Sequence, residues 1–237
     1  MIRMFPLDHI PMVHRDLGRL ASAFRRLGFF VAPRAEFRSP ASPEEFWTTQ
    51  GVFLDQGWFD LQAAPKADST RLARPESCLF RAPDMETAKA ALAPLPLDDP
   101  FSLTRNWDGR PDASPLGMSY ANIRARIAPF MLAVIAYEAP GSDIEEGWTR
   151  HPNTALQVKG VSFPTLYPGV AAEAGSKALD LSEFRYGVSE IAVRIRVADL
   201  NALTRALELG QIPFETSPKG LYVPPVDVLG CGFEFST

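Results

Sequence analysis

The stretch that decides the fold opens Leu7-Asp8-His9-Ile10-Pro11-Met12-Val13-His14-Arg15-Asp16 and continues Leu17-Gly18-Arg19-Leu20-Ala21-Ser22-Ala23-Phe24-Arg25-Arg26-Leu27-Gly28-Phe29. Its first part, Leu7 to Val13, is an apolar run of strand length. Asp16 then offers a carboxylate to the free amides that begin a helix. Leu17, Leu20, Ala21, Phe24 and Leu27 recur at helical spacing, and Gly28 supplies the residue at which such a helix stops. One strand followed by one capped helix is expected here.

Further along, Phe29 to Ala32 reads as extended. Val52 to Leu54 and Trp58 to Ala63 read as strands joined by the hairpin turn Asp55-Gln56-Gly57. The same order returns downstream. Cys78 to Ala82 is a strand, Asp84 a cap and Met85 to Leu92 a helix, followed by strands over Phe101 to Trp107, Tyr120 to Ile127 and Met131 to Tyr137. Near the end, Ile191 to Val197 is a strand and Asp199 a cap, and Leu200 to Leu209 is a helix closed by Gly210. Gly220 to Val223 and Gly232 to Phe235 are strands. Ala155 to Leu166 and Val170 to Leu179 look like a shortened copy. The fold class is therefore α+β, built from repeated βαβββ modules. The expected division is residues 1–140 for a first pair of modules, 141–153 for a Gly- and Pro-rich linker, and 154–237 for a second, shortened pair.

Bulk composition narrows the function classes. The 237 residues are 46% hydrophobic and 22% charged, as in folded globular chains. The 22 prolines, about twice the usual share of roughly 5%, favour short elements and firm turns. A net charge of −4 with no basic cluster disfavours a nucleic-acid partner. Cys78 and Cys231 show no paired metal or redox spacing and suit a reducing compartment. The start is broken by Pro6 and Pro11, and the longest apolar stretch, Ile127 to Tyr137, is too short for a bilayer. No membrane partner and a cytoplasmic setting are expected.

Several short motifs, in order, resemble the vicinal-oxygen-chelate superfamily and its glyoxalase-like branch. They are Leu7-Asp8-His9-Ile10, Arg15-Asp16-Leu17, Leu27-Gly28-Phe29, Trp58-Phe59-Asp60-Leu61, His151-Pro152-Asn153 and Gly232-Phe233-Glu234-Phe235. The resemblance implies modules paired into half-open barrels that cup a small molecule, often around a divalent ion held by His and Glu. It spans lyases, isomerases, dioxygenases and bleomycin-resistance binding proteins, so fold leaves function open. The chain departs from the pattern at Asp60, where relatives carry Glu, and at Gly160, where many metal-binding relatives carry His or Gln. The segment Ser39 to Thr49 holds no histidine.

Strand alternation puts Trp58, Asp60 and Gln62 on one face, opposite Phe59 and Leu61. By the same rule His9 faces with Pro11 and Val13, and Glu234 with Gly230 and Gly232. His9, Asp60 and Glu234 are thus candidate ligands of zinc, iron, manganese or nickel, with Asp60 and Glu234 as candidate proton-exchanging carboxylates. That set requires the two chain ends to share one hollow. Trp58, Gln62, Arg105, Trp107, His151 and Asn153 are candidate ligand contacts, and His14 is expected to face solvent. Two functions stay open: a metal-dependent lyase, isomerase or dioxygenase, and a metal-free binding or sequestration protein. A homodimer is a third way for the fold to work. No phosphate loop, nucleophile elbow, zinc helix or dinucleotide fingerprint occurs.

Overall fold

A computed structural model describes residues 4–64, 70–93, 95–108, 115–124, 128–165, 177–217 and 219–237. The first module runs β1 (Leu7–His14), α1 (Leu17–Arg26), β2 (Arg34–Ser39), β3 (Ser42–Phe53) and β4 (Trp58–Ala63). The second runs β5 (Ser77–Arg81), α2 (Met85–Leu92), β6 (Phe101–Trp107), β7 (Leu116–Asn122) and β8 (Met131–Tyr137). Within each module the first and last strands pair in parallel, β1 with β4 and β5 with β8. Antiparallel seams between β1 and β5 and between β2 and β6 close all eight strands into a barrel.

The two helices form where an aspartate meets a periodic apolar face. Asp16 accepts the Arg19 amide at 2.9 Å and Asp84 the Thr87 amide at 2.6 Å, each capping free N–H groups of the first turn. Leu17, Leu20, Ala21 and Phe24 bury one face of α1. Gly28 follows at φ 83°, with its amide on the Arg25 carbonyl at 2.9 Å and the Phe29 amide on the Phe24 carbonyl at 3.1 Å. That left-handed stop admits no side chain. A Cβ there would lie 2.8 Å from Ala206 Cβ and 2.9 Å from Asn153 Cβ.

A second sheet follows, made of β9 (Ala155–Phe163), β10 (Arg185–Tyr186), β11 (Ala192–Val197), β12 (Glu215–Ser217), β13 (Gly220–Val223) and β14 (Gly232–Ser236). Its order is β10-β9-β11-β14-β13-β12, and helix α3 (Leu200–Leu209), capped by Asp199, crosses from β11 to β12. With β11 parallel to β14 this is a third βαβββ module, to which β9 adds antiparallel. Its inner face, including Val193, Ile195, Phe233 and Phe235, shares one core with Phe24 of α1 and Phe59 of β4. The Phe24 and Phe233 rings meet edge-on with centroids 5.8 Å apart. No described helix is long and apolar enough to cross a membrane.

Three local differences from the sequence expectations have plain causes. Phe29 to Ala32 joins no ladder; the strand starts at Arg34, after Pro33, which has no amide to donate. β3 begins at Ser42, ten residues ahead of Val52, because its polar first half pairs with β2. The strand read as Tyr120 to Ile127 is β7, Leu116–Asn122, and residues 125–127 lie outside the described residues, as do residues 166–176 of the shortened copy.

Candidate functional site

Alternation around the barrel sends one face of every strand inward, enclosing a cavity of about 240 Å³. His9, Pro11 and Val13 of β1 and Trp58, Asp60 and Gln62 of β4 line it, while Ile10, Met12, Phe59 and Leu61 lie in the outer core. Across the cavity stand Phe37 of β2, Trp47 of β3, Met118 and Tyr120 of β7 and Ile135 of β8. Met131, 47% exposed, marks the rim.

The base is an ionic network centred on Asp8, which is 1% exposed. A register irregularity in β1 between Leu7 and His9 accompanies its placement beside the His9 ring. Asp8 Oδ2 accepts from Tyr137 Oη at 2.6 Å and Trp58 Nε1 at 3.2 Å and lies 2.8 Å from His9 Nδ1, while Oδ1 accepts Arg81 Nε at 2.7 Å. Burial pushes this carboxyl up, but the His9 hydrogen bond and charge, Arg81 and Tyr137 outweigh it and hold the group at about 2. Asp8 is therefore the anion of the base. Burial and the Asp8 charge in turn push the Tyr137 phenol well above its usual range. The His9 ring lies against Trp58, centroids 4.4 Å apart.

A second buried pair closes the barrel beneath Trp58. Arg105 grips Asp143 through Nε at 2.7 Å and Nη2 at 2.8 Å, and Trp107 Nε1 donates to the same carboxylate at 3.0 Å. The guanidinium carbon lies 5.1 to 5.4 Å from the Trp107, Trp58 and Phe53 ring centroids. Asp143 comes from the segment after β8, which reads as a linker. In the fold that segment packs as a plug, with Trp148 5% exposed and 4.7 Å from Trp107.

On the β4 wall, Asp60 is 3% exposed and accepts from Thr49 Oγ1 and, at 2.6 Å, from Gln62 Nε2. On cavity-lining side chains, the indole nitrogen of Trp47 and the amide oxygen of Asn122 lack a hydrogen-bond partner among the described residues, as does Glu76 Oε1, which has only its ion pair with Arg71.

Of the candidates read from the sequence, the barrel brings together His9, Trp58, Asp60 and Gln62. It does not bring Glu234 to them. Glu234 sits on the far sheet, in a separate depression with Tyr222 and Lys219, 3.5 Å from Arg194 Nε and 3.6 Å from Arg185 Nη1. Consecutive modules pair with each other, so the chain ends line different hollows. Gly160, directly across from Arg194, leaves no vacant ligand position. A Cβ there would lie 2.9 Å from the Glu183 carbonyl oxygen. Arg105 and Trp107 face Asp143 rather than the cavity surface. His151 and Asn153, expected at a pocket mouth, instead hold backbone in place. His151 Nδ1 accepts the Phe30 amide at 3.0 Å and Nε2 donates to the Phe53 carbonyl at 2.8 Å; Asn153 donates to the Leu27 carbonyl at 2.9 Å. Burial lowers the His151 pKa. His14 is 4% exposed, with Nδ1 accepting the Asp16 amide at 3.0 Å, because the chain turns back over it to start α1.

Sequence reasoning passed over Asp8, Tyr137, Arg81 and Asp143. Asp8 was visible only as a charge inside an otherwise apolar strand; the other three gave no local signal. Neither thiol is poised for chemistry: both are buried, which pushes Cys78 well up and Cys231 to about 12.

The donor set does not suit a divalent ion. Among the described residues no group of three or more His, Cys, Asp or Glu is placed to hold one. Asp8 already accepts from Arg81, Tyr137 and Trp58, Glu234 is paired with two arginines in a separate depression, and His9 and Asp60 alone make no three-ligand set.

No protein-family model matches the chain, and no curated protein matches it. Solved structures do. A xylose isomerase-like TIM barrel/4-hydroxyphenylpyruvate dioxygenase fusion protein superposes with a TM-score of 0.58 at 9% identity, over 98% of this chain and 49% of that one. The chain thus spans about half the length of that protein. A halotolerant catechol dioxygenase, BphC, aligns at a TM-score of 0.48 and 9% identity, over 100% of this chain and 87% of that one. Glyoxalase I from Zea mays aligns at 0.34 and 12% identity, over 97% and 66%. The first of these likenesses, together with the strand order, carries the conclusion that the chain shares its fold with about half of that protein, βαβββ modules paired into a barrel.

Proposed function

We propose that the barrel cup binds one small ring-bearing molecule through aromatic and hydrogen-bonding contacts, without a metal ion. One observation carries the reading: apolar, aromatic walls enclose about 240 Å³, and two of the side chains in those walls, Trp47 and Asn122, carry a buried donor and a buried acceptor without a partner among the described residues. Buried polar atoms in folded proteins are paired, so these two atoms call for a water or a ligand. An apolar cavity of about 150 Å³ already holds benzene. The cup therefore suits a single ring with a short substituent. His9 adds a further polar contact at the base, its Nδ1 tied to Asp8 and its ring steadied on Trp58.

The resemblance to metal-dependent lyases, isomerases and dioxygenases supports a second reading, in which His9 and Asp60 serve a bound ion in the same cup. The lack of a third ligand beside them among the described residues weighs against it. Thermal shift of the full chain with benzyl alcohol and phenol, with and without EDTA, separates the two, alongside metal analysis of protein purified without metal affinity. Stabilisation that survives EDTA, with no stoichiometric transition ion, is the expected result. Stabilisation that disappears with EDTA and returns with zinc or iron overturns the metal-free reading.

A further inference from the structure

The charge of the cup's occupant can be inferred from Asp60, provided the cup binds a small molecule as proposed above. Asp60 is 3% exposed and lines the cavity. Its two hydrogen bonds come from Thr49 and Gln62, both neutral. The other buried carboxylates of the barrel have cations: Asp8 has Arg81, with His9 beside it, and Asp143 has Arg105. Among the described residues none pairs with Asp60. A carboxylate offers about four lone-pair sites, so two on Asp60 remain for a ligand. A buried charge is stable in a protein when a counter-charge accompanies it.

The surrounding charges leave this one uncompensated. Glu76, also on the wall, is held by Arg71 at 2.6 Å. Arg105 is engaged by Asp143 and lies behind Trp58. The same cup is walled by the rings of Trp58, Trp47, Phe37 and Tyr120, the surfaces that attract organic cations. We propose that the occupant is an organic monocation, an ammonium group on a small ring-bearing frame, with Asp60 as its counter-ion and the aromatic walls around the charged carbon–nitrogen end.

The test uses three probes on one frame, titrated into the full chain at pH 7 in EDTA: benzylamine, which is then cationic, neutral benzyl alcohol and anionic benzoate. Benzylamine is expected to bind at least about tenfold tighter than benzyl alcohol, with benzoate weakest. In Asp60→Asn that advantage of benzylamine over benzyl alcohol disappears. The proposal is overturned if benzyl alcohol or benzoate binds the unaltered chain as well as benzylamine does, or if Asp60→Asn keeps the preference. Should Asp60→Asn fail to fold, the ranking of probes on the unaltered chain decides alone. Binding of benzyl alcohol or benzoate without benzylamine refutes the charge assignment and leaves the cup intact; binding of none of the three refutes both.

Discussion

Replacing Asp8 by Asn tests whether the base of the cup is held by a true buried anion. Its partners hold the Asp8 carboxyl at about 2, below the ordinary 3.8, which favours the ionised native state by about 2 kcal/mol. Asparagine also turns one acceptor into a donor among four donors, His9, Trp58, Arg81 and Tyr137. Losing one charge-assisted hydrogen bond costs about 1.5–3 kcal/mol, overlapping the first figure. The Arg81 arm is 44% exposed, so solvent screening reduces its share. The net expectation is a loss of about 3 kcal/mol at pH 7, or a fall in Tm of about 6–12 °C for a chain of this size. Urea denaturation of both proteins reads it directly. The folded pKa is depressed, so the contribution is complete above the unfolded value near 3.8 and fades as pH falls through about 2. A loss below about 0.5 kcal/mol at pH 7, the range of a surface change, refutes the reasoning.

Other expectations concern the supports around the cup. Gly28→Ala puts a Cβ at φ 83° within 2.8 Å of Ala206 Cβ and is expected to cost more than the roughly 1–2 kcal/mol of a left-handed alanine, as read by urea denaturation. Arg105→Met strands the buried Asp143 carboxylate and is expected to cost about 3–5 kcal/mol. His151, with its pKa lowered by burial, stabilises the fold above its unfolded value of 6.5 and ceases to do so as pH falls through the lower folded value. Stability from pH 7 to 5 should therefore decline more steeply in the unaltered chain than in His151→Gln. Ala133, 1% exposed on the cavity wall, is the site for filling the cup. Ala133→Phe should abolish benzyl alcohol binding, with a stability change within about 3 kcal/mol.

Much of the barrel was legible because its signals are local. The aspartates at 16, 84 and 199 each cap a helix, and the alternation in Trp58-Phe59-Asp60-Leu61-Gln62 correctly separates the inner face from the outer. His9 with Pro11 and Val13 followed the same rule. What stayed hidden depends on contacts between distant strands. β2 carries its apolar residues only at Ala35 and Phe37, too few to mark a strand before β3 and β6 pair on either side. Pairing of neighbouring modules, which separates His9 from Glu234, has no local signature. The Asp143 clamp on Arg105 spans 38 residues, and His151 and Asn153 show how a motif suited to a pocket can hold backbone instead.

Intrinsic tryptophan fluorescence gives the most direct measurement of the central claim, because Trp47 and Trp58 line the cup. The full chain is titrated with benzylamine and, separately, benzyl alcohol in the presence of EDTA, beside the same titration of Ala133→Phe. A metal-free cup predicts saturable quenching in the unaltered chain and none in the filled variant. Equal quenching in both, or quenching that arises only after a transition ion is restored, contradicts it.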